Sequence, residues 1–364
     1  MDHIAKDIWL EQKARRAGYP DVAAWLTAFG APGYRGAQLY RAACKELAPD
    51  LDSISVLPAE MRTRLHAEGL ELESVAPVVM QRSSDGQTTK GLFRLADGSE
   101  VEAVLMEHRA DRTTVCISSQ AGCAYKCAFC STGQAGFTRN LEAIEIFDQA
   151  RHFAADLKQR GKKITNVVFM GQGEPFASFE AVMQAVALLN DPHGFGLGHR
   201  HITISTVGLI PEIDRFAEQQ TQVNLAISLH APTDEQRSRI MPINRRYPIA
   251  DLIAACDRYI ARTNRKVFIE YVMLEGVNDD DTSAKALAQL LRGRLYHVNL
   301  IPYNNTPDAD FRGTDEQRIR AFQKVLDAAG VPTTVRVPMG RDIAAACGQL
   351  RAQTQPRAHA TAAP

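Results

Sequence analysis

Six short apolar runs, each followed by a helical stretch, fill the chain from residue 113 onward. They lie at residues 114–119, 166–170, 201–205, 223–229, 266–273 and 296–302. Most are continuously apolar rather than alternating, which is the pattern of strands buried on both faces of a parallel sheet. The helical stretches between them serve as crossovers. One starts at Asn140 as N-cap and carries Leu141, Ile144 and Phe147 on its apolar side. A second follows Ser178 over residues 179–189. A third has Thr314 and Gln317 as a capping box before Ile319, Phe322, Val325 and Leu326, with Gly330 as its stop. One more strand is expected at 333–337. Six β/α units in succession predict an α/β fold built as a partial (β/α)6 barrel, two units short of a closed one.

The first third of the chain follows different rules. Residues 1–75 read as a small helical accessory domain, with helices near 21–29, 36–46 and 58–68, broken at Gly30-Ala31-Pro32-Gly33 and Pro49-Asp50. Residues 76–112 read as a β-hairpin extension, with strands at 78–82, 89–94 and 100–106. Asp85-Gly86 and Asp97-Gly98 supply the turns. The barrel then spans 113–350, and the tail 351–364, rich in Ala, Gln, Pro, Thr and Arg, is expected to be disordered. The 364 residues suit such a division. No apolar stretch reaches membrane length, and the first residues lack the apolar core of a signal peptide. The 42 basic and 42 acidic residues cancel, so bulk charge does not announce a nucleic acid partner. Even the helical segment through Val75 carries nine Lys and Arg against eleven Asp and Glu. Arg35, Arg41, Arg200, Arg245 and Arg246 are the candidates for contact with any nucleic acid, though a single exposed arginine is more often a plain solvated charge.

Chemistry concentrates in one loop after the first barrel strand. Cys123, Cys127 and Cys130 are spaced C-x3-C-x2-C, with no fourth cysteine following nearby. Three close thiolates can hold three corners of a [4Fe–4S] cube and leave the fourth iron free. A structural zinc knuckle wants four ligands. With seven cysteines in 364 residues and three of them in one loop, a reducing cytoplasm is the expected compartment. Small polar clusters follow the later strands: Gly171-Gln172-Gly173-Glu174-Pro175, Ser205-Thr206-Val207-Gly208, Ser228-Leu229-His230 and Asn304. Each alone reads as a turn. Together they fall on one rim, at the carboxyl ends of parallel strands, where such barrels bind ligands.

At this point the sequence resembles a known family. The cysteine triplet, with Phe129 before its last member, is similar to that of the radical S-adenosylmethionine (SAM) superfamily. The runs from Ser118 to Cys123, Phe129 to Gly133, Gly173 to Pro175, Ala226 to Pro232 and Asp342 to Leu350 resemble the RlmN/Cfr family of RNA adenosine methyltransferases. The resemblance covers roughly residues 80–350. It implies a [4Fe–4S] cluster on Cys123, Cys127 and Cys130, whose open iron chelates SAM. It implies that Gly173 and Glu174 bind the amino end of SAM, that Ser205, Ser228, Leu229, His230 and Asn304 hold the rest, and that Phe129 lies beside the cofactor. It assigns Cys347 as the methyl-carrying cysteine, Cys116 as the cysteine that later pairs with it in a transient disulfide, and Glu102 as the acceptor of the C2 proton. The implied substrates are 23S ribosomal RNA and tRNA, and the implied partner is an electron donor such as flavodoxin. No membrane is involved.

Taken singly, these residues have plainer readings. Cys116 in an apolar strand is a small core residue, Cys347 an incidental thiol, Glu102 a solvated hairpin charge and His230 a structural hydrogen bonder. Cys44 and Cys256 match no motif and read as packing residues. Three other functions stay open. A Cfr-type enzyme would act at C8 of adenosine; Pro175 leans toward RlmN, whereas the stretches 295–300 and 264–267 look Cfr-like. A radical SAM enzyme on a small molecule or peptide would not need both Cys116 and Cys347. A non-catalytic iron–sulfur protein would contact RNA without cleaving SAM.

Overall fold

The computed structural model describes residues 4–304 and 310–350; the tail expected at 351–364 lies outside them. The β-rich extension consists of β1 (Ala76–Arg82), β2 (Thr88–Arg94) and β3 (Glu100–Glu107), paired antiparallel. β3 continues antiparallel onto β4 (Thr113–Cys116). Next comes a separate ribbon of β5 (Gln120–Gly122) and β6 (Phe137–Asn140), which brackets the cysteine loop. The remaining strands are β7 (Asn166–Phe169), β8 (Ile202–Thr206), β9 (Asn224–Ser228), β10 (Val267–Met273), β11 (Tyr296–Pro302) and β12 (Thr333–Val335). The main sheet runs β1-β2-β3-β4-β7-β8-β9-β10-β11-β12. From β4 to β12 every neighbouring pair is parallel. This is the α/β partial barrel, with the hairpin extension joined edge to edge onto it.

The apolar runs explain the strands. In β9, Leu225, Ala226 and Ile227 are all buried, as both faces must be when helices cover one side and the barrel interior the other. The helices end differently from expectation at two places. Asn140 finishes β6, and the cap of the helix Ala143–Gln159 is Glu142, in a reciprocal box with Glu145. Asp315, not Thr314, caps Glu316–Ala328 through the backbone of Arg318, while the Thr314 hydroxyl donates to Asp279. In both cases a carboxylate takes the first-turn N–H groups, where it also meets the positive helix end.

The N-terminal helices Ile4–Arg16, Val22–Ala28, Tyr34–Cys44 and Ala59–Ala67 share one hydrophobic core with the barrel, through Trp9, Leu39 and Tyr40. Two buried cations tie them down. Lys13 donates to Glu71 O at 2.9 Å and Ser74 Oγ at 3.0 Å and lies 3.8 Å from Asp148. Arg151 donates to Ala43 O at 2.8 Å, Ala48 O at 2.5 Å and Glu73 at 2.6 Å. Among the described residues no helix is long and apolar enough to cross a membrane.

Candidate functional site

The cysteine loop leaves the top of β4 through Ser118, whose hydroxyl donates to Glu102 O at 2.6 Å and accepts from Gln172 N at 2.8 Å. The loop after β7 therefore packs tightly against it. A Cβ on Gly171 would fall 2.7 Å from Ile117 O, and Gly173 adopts φ +96 with the Gln120 side chain 2.5 Å from the same hypothetical atom. Only glycine fits this approach. Gln120 also accepts from Glu174 N at 2.8 Å, so the strand-end loops are hydrogen-bonded into one rim.

Cys123, Cys127 and Cys130 all line one cavity of about 160 Å³ at the carboxyl ends of the strands. Gly173, Glu174, Ser205, Ser228 and His230 line it too, as do Phe129, Glu270 and Cys347. Burial pushes the Cys123 thiol up to about 12 and Cys127 well above the ordinary range; a bound metal would oppose this by stabilising the thiolates. Among the described residues no three His, Cys, Asp or Glu side chains are gathered closely enough to grip a single metal ion. Three thiols lining one cavity, with no further cysteine in the loop, suit a [4Fe–4S] cluster that leaves one iron open.

Glu174 is buried, and its carboxyl group accepts from Phe176 N at 3.0 Å and Val207 N at 2.8 Å. Burial pushes its pKa up to about 7 against those hydrogen bonds. His230 sits at φ +60, and its Nδ1 accepts from Val272 N at 3.0 Å. Burial, aided by the Arg237 guanidinium, depresses its pKa to about 3, so the ring is neutral with its proton on Nε2. Phe129 packs edge-on against it at 4.9 Å. Ser205 and Ser228 place their hydroxyls 3.4 Å apart. Leu229 is fully buried in the main core and does not line the cavity; its carbonyl accepts from the buried Arg237. Asn304 is buried as well, and its side-chain oxygen accepts from Arg341 at 2.7 Å.

The Cys347 segment closes the cavity from another side. Ser131 N donates to Gly348 O at 2.9 Å, and the Thr132 hydroxyl donates to Leu350 O at 2.7 Å. The hairpin grips the same segment: Asp342 accepts from Ser84 N at 2.7 Å, and Lys90 reaches Ala344 O at 3.4 Å. Cys347 is open to solvent at the mouth yet crowded by protein atoms. That crowding raises its thiol pKa, while Arg336 pulls it down. Cys116 is buried against Val104, Ala345 and Leu350, and burial pushes its pKa up to about 12, with Cys347 adding to the rise. All seven cysteines are free thiols, so no standing disulfide joins Cys116 to Cys347. Glu102 is not a solvated hairpin charge: it is buried on β3, 3.1 Å from Lys90 Nζ. It does not line the cavity.

Two charged residues at the site lay outside the sequence reading. Glu270 interrupts the apolar β10, and Arg336 follows β12; they pair at 3.0 Å. A carboxylate inside a buried strand was the available signal. The candidate RNA arginines are mostly engaged locally: Arg35 donates to Val56 O, Arg41 pairs with Glu46, Arg200 donates to Gln222 and Arg246 lies over Tyr247, while Arg245 ends a short turn of helix beside it.

With this geometry in place, the likenesses to other proteins become informative. Residues 117–287 match the radical SAM superfamily. The chain is 48% identical over 336 residues to a protein named probable dual-specificity RNA methyltransferase RlmN from Chloroflexus aurantiacus, covering 89% of each. It is 44% identical over 324 residues to a ribosomal RNA large subunit methyltransferase N of Nitrosopumilus maritimus, covering 87% of this chain and 92% of that one. The crystal structure of a radical SAM methyltransferase from Sphaerobacter thermophilus superposes with a TM-score of 0.88 at 50% identity, covering 92% of this chain and 97% of that one.

Proposed function

Because the chain belongs to the RlmN family of radical SAM RNA methyltransferases, we propose that it methylates C2 of adenosine in 23S ribosomal RNA, with tRNA as a second substrate. It is a SAM-dependent RNA methyltransferase whose cofactors are a [4Fe–4S] cluster and SAM. One observation carries the finer reading: Cys347, far away in sequence, shares a single cavity with the three-cysteine loop.

Cys123, Cys127 and Cys130 would hold the cluster, which when bound would supply the electron for reductive cleavage of SAM. Gly173 and Glu174 bind the amino end of SAM, and Ser205, Ser228 and the Nε2–H of His230 orient the remainder. The Nδ1 bond to Val272 N supports this by fixing the tautomer. Leu229 and Asn304 complete the SAM-holding set, Leu229 through its backbone because its side chain lies in the core. Cys347 attacks the methyl carbon of a first SAM, its sulfur forming the new bond as the thioether product leaves. Reductive cleavage of a second SAM would remove one hydrogen atom from that S-methyl group, and the freed carbon would bond to C2 of adenine, the adduct returning one electron as the C2 proton leaves. Glu102 accepts the C2 proton once the Lys90 side chain and the hairpin admit substrate. Cys116 then attacks the Cys347 sulfur, an S–S bond forms as the S–C bond breaks, and the electron pair stays with the product carbon, which takes up a proton to become the methyl group. The packing of Cys116 against Ala345, two residues from Cys347, supports this pairing. The cycle is ping-pong in the methyl group. An electron donor such as flavodoxin supplies the electron for SAM cleavage, and a thiol reductant returns the Cys116–Cys347 disulfide to two free thiols.

Nucleoside mass spectrometry of RNA treated with the anaerobically reconstituted enzyme and SAM tests the proposal. The expected product is 2-methyladenosine, lost in Cys347→Ala while iron content stays at the wild-type level. 8-Methyladenosine without the 2-isomer, or methylation that survives in Cys347→Ala, overturns it.

A further inference from the structure

Glu270 is a buried carboxylate that the reaction above does not use. It stands at the cavity wall, 3% exposed. Its Oε1 is doubly held, accepting from Asn299 Nδ2 at 2.8 Å and from Arg336 at 3.0 Å. Its Oε2 is buried and has no hydrogen-bond partner among the described residues. A buried acceptor left without a donor is costly, more so when charged, unless a ligand satisfies it. The clamp on Oε1 fixes the plane of the carboxylate and leaves Oε2 as the acceptor offered to whatever fills the cavity.

Register shows which part of a ligand it meets. Ser228 on β9 is the direct partner of Glu270 on β10. In turn, Glu270 is the direct partner of Asn299 on β11. Residues in direct register on adjacent parallel strands point to the same face. The Ser228 hydroxyl lies 3.4 Å from that of Ser205 on β8. A polar row therefore crosses four strands on one face of the sheet, with Ser205 one step off the register of the other three because its direct partner is Ala226. Two hydroxyls followed by a free carboxylate oxygen form a surface for a group with two adjacent O–H donors.

We propose that Glu270 is a further SAM-binding residue, its Oε2 accepting a hydrogen bond from the ribose diol beside Ser205 and Ser228. This rests on the reading that SAM occupies the cavity, and extends it by one named contact. Asn299 and Arg336 are then positioning residues, which aim the carboxylate without touching the ligand.

The test is equilibrium binding to the reconstituted protein under non-reducing conditions, with S-adenosylhomocysteine and its 2′-deoxy and 3′-deoxy analogues as probes. Wild-type protein is expected to bind one deoxy analogue about tenfold or more weakly than the parent, the size of a hydrogen bond to a charged group. Glu270→Gln is expected to bind the parent correspondingly more weakly and to lose that discrimination, with iron per chain unchanged. Equal discrimination by wild type and Glu270→Gln overturns the assignment, as does a wild-type protein indifferent to both hydroxyls, a result that needs no variant to fold. A wild-type protein that binds none of the three probes overturns the SAM reading itself along with this contact.

Discussion

His230 illustrates how one side chain is set by its surroundings. Its left-handed backbone turns the ring back toward β10, where Nδ1 takes the Val272 N–H, and Asn278 donates to the His230 carbonyl at 2.7 Å. The folded pKa of about 3 lies below the ordinary 6.5. The unfolded chain therefore gains a proton that the folded one refuses between these values. Stability from this residue is present above about pH 6.5 and falls as pH drops toward 3. Nitrogen NMR of the ring should show it neutral at pH 5; a titration midpoint near 6 would contradict the burial argument. The residue was visible in the sequence only as a strand-end histidine with a resemblance attached. Its protonation state depends on Val272 and Arg237, partners 42 and 7 positions away, which no local pattern reveals. The same holds for Glu102, which reads as an exposed charge until β2 brings Lys90 beside it.

At the scale of elements, the N-terminal helices owe their seat to buried charge as well as to apolar contact. Burial lowers the pKa of Lys13 and raises that of Asp148, each opposed by the other. Lys13→Met leaves Asp148 buried without its cation, and denaturant unfolding should show a loss of about 3–5 kcal/mol. The double replacement Lys13→Met with Asp148→Leu should regain most of it, since a buried pair exchanged for apolar groups is often neutral. Unchanged stability in Lys13→Met would contradict the pairing. The hairpin has an equally local duty, holding the Cys347 segment through Asp342 and Ser84. Asp342→Ala removes one charge-assisted bond, and iodoacetamide should then label Cys347 several-fold faster in the iron-free protein. An unchanged labelling rate would show that the hairpin grip is idle. The strands were legible because a buried parallel strand must be an apolar run, as in β9 and β10. The helix Ile4–Arg16 was not singled out, since Lys13 is buried among its apolar residues and breaks the stripe. The caps at Glu142 and Asp315 were misplaced by one or two residues because Asn140 and Thr314 are equally good local candidates; tertiary pairing of Asn140 with β5 and of Thr314 with Asp279 decided between them.

Across the whole molecule, the parallel strands bring loops from distant parts of the chain to one rim, and the antiparallel extension delivers the segment that carries Cys347. The site thus joins a motif legible in ten residues with a thiol more than two hundred residues later. The cysteine spacing and the strand-end clusters made the cofactor end readable in advance. The Glu270–Arg336 pair was not readable, because its meaning comes from register across β9, β10 and β11. Everything at this scale depends on the triplet Cys123, Cys127 and Cys130 caging a cube with a vacant iron corner. The most direct measurement is metal analysis and low-temperature electron paramagnetic resonance of the anaerobically reconstituted, reduced protein, with and without SAM. About four irons per chain and a cluster signal that changes shape when SAM is added are the predicted result. A chain that holds zinc on these thiols and no iron, or an iron signal indifferent to SAM, would contradict it.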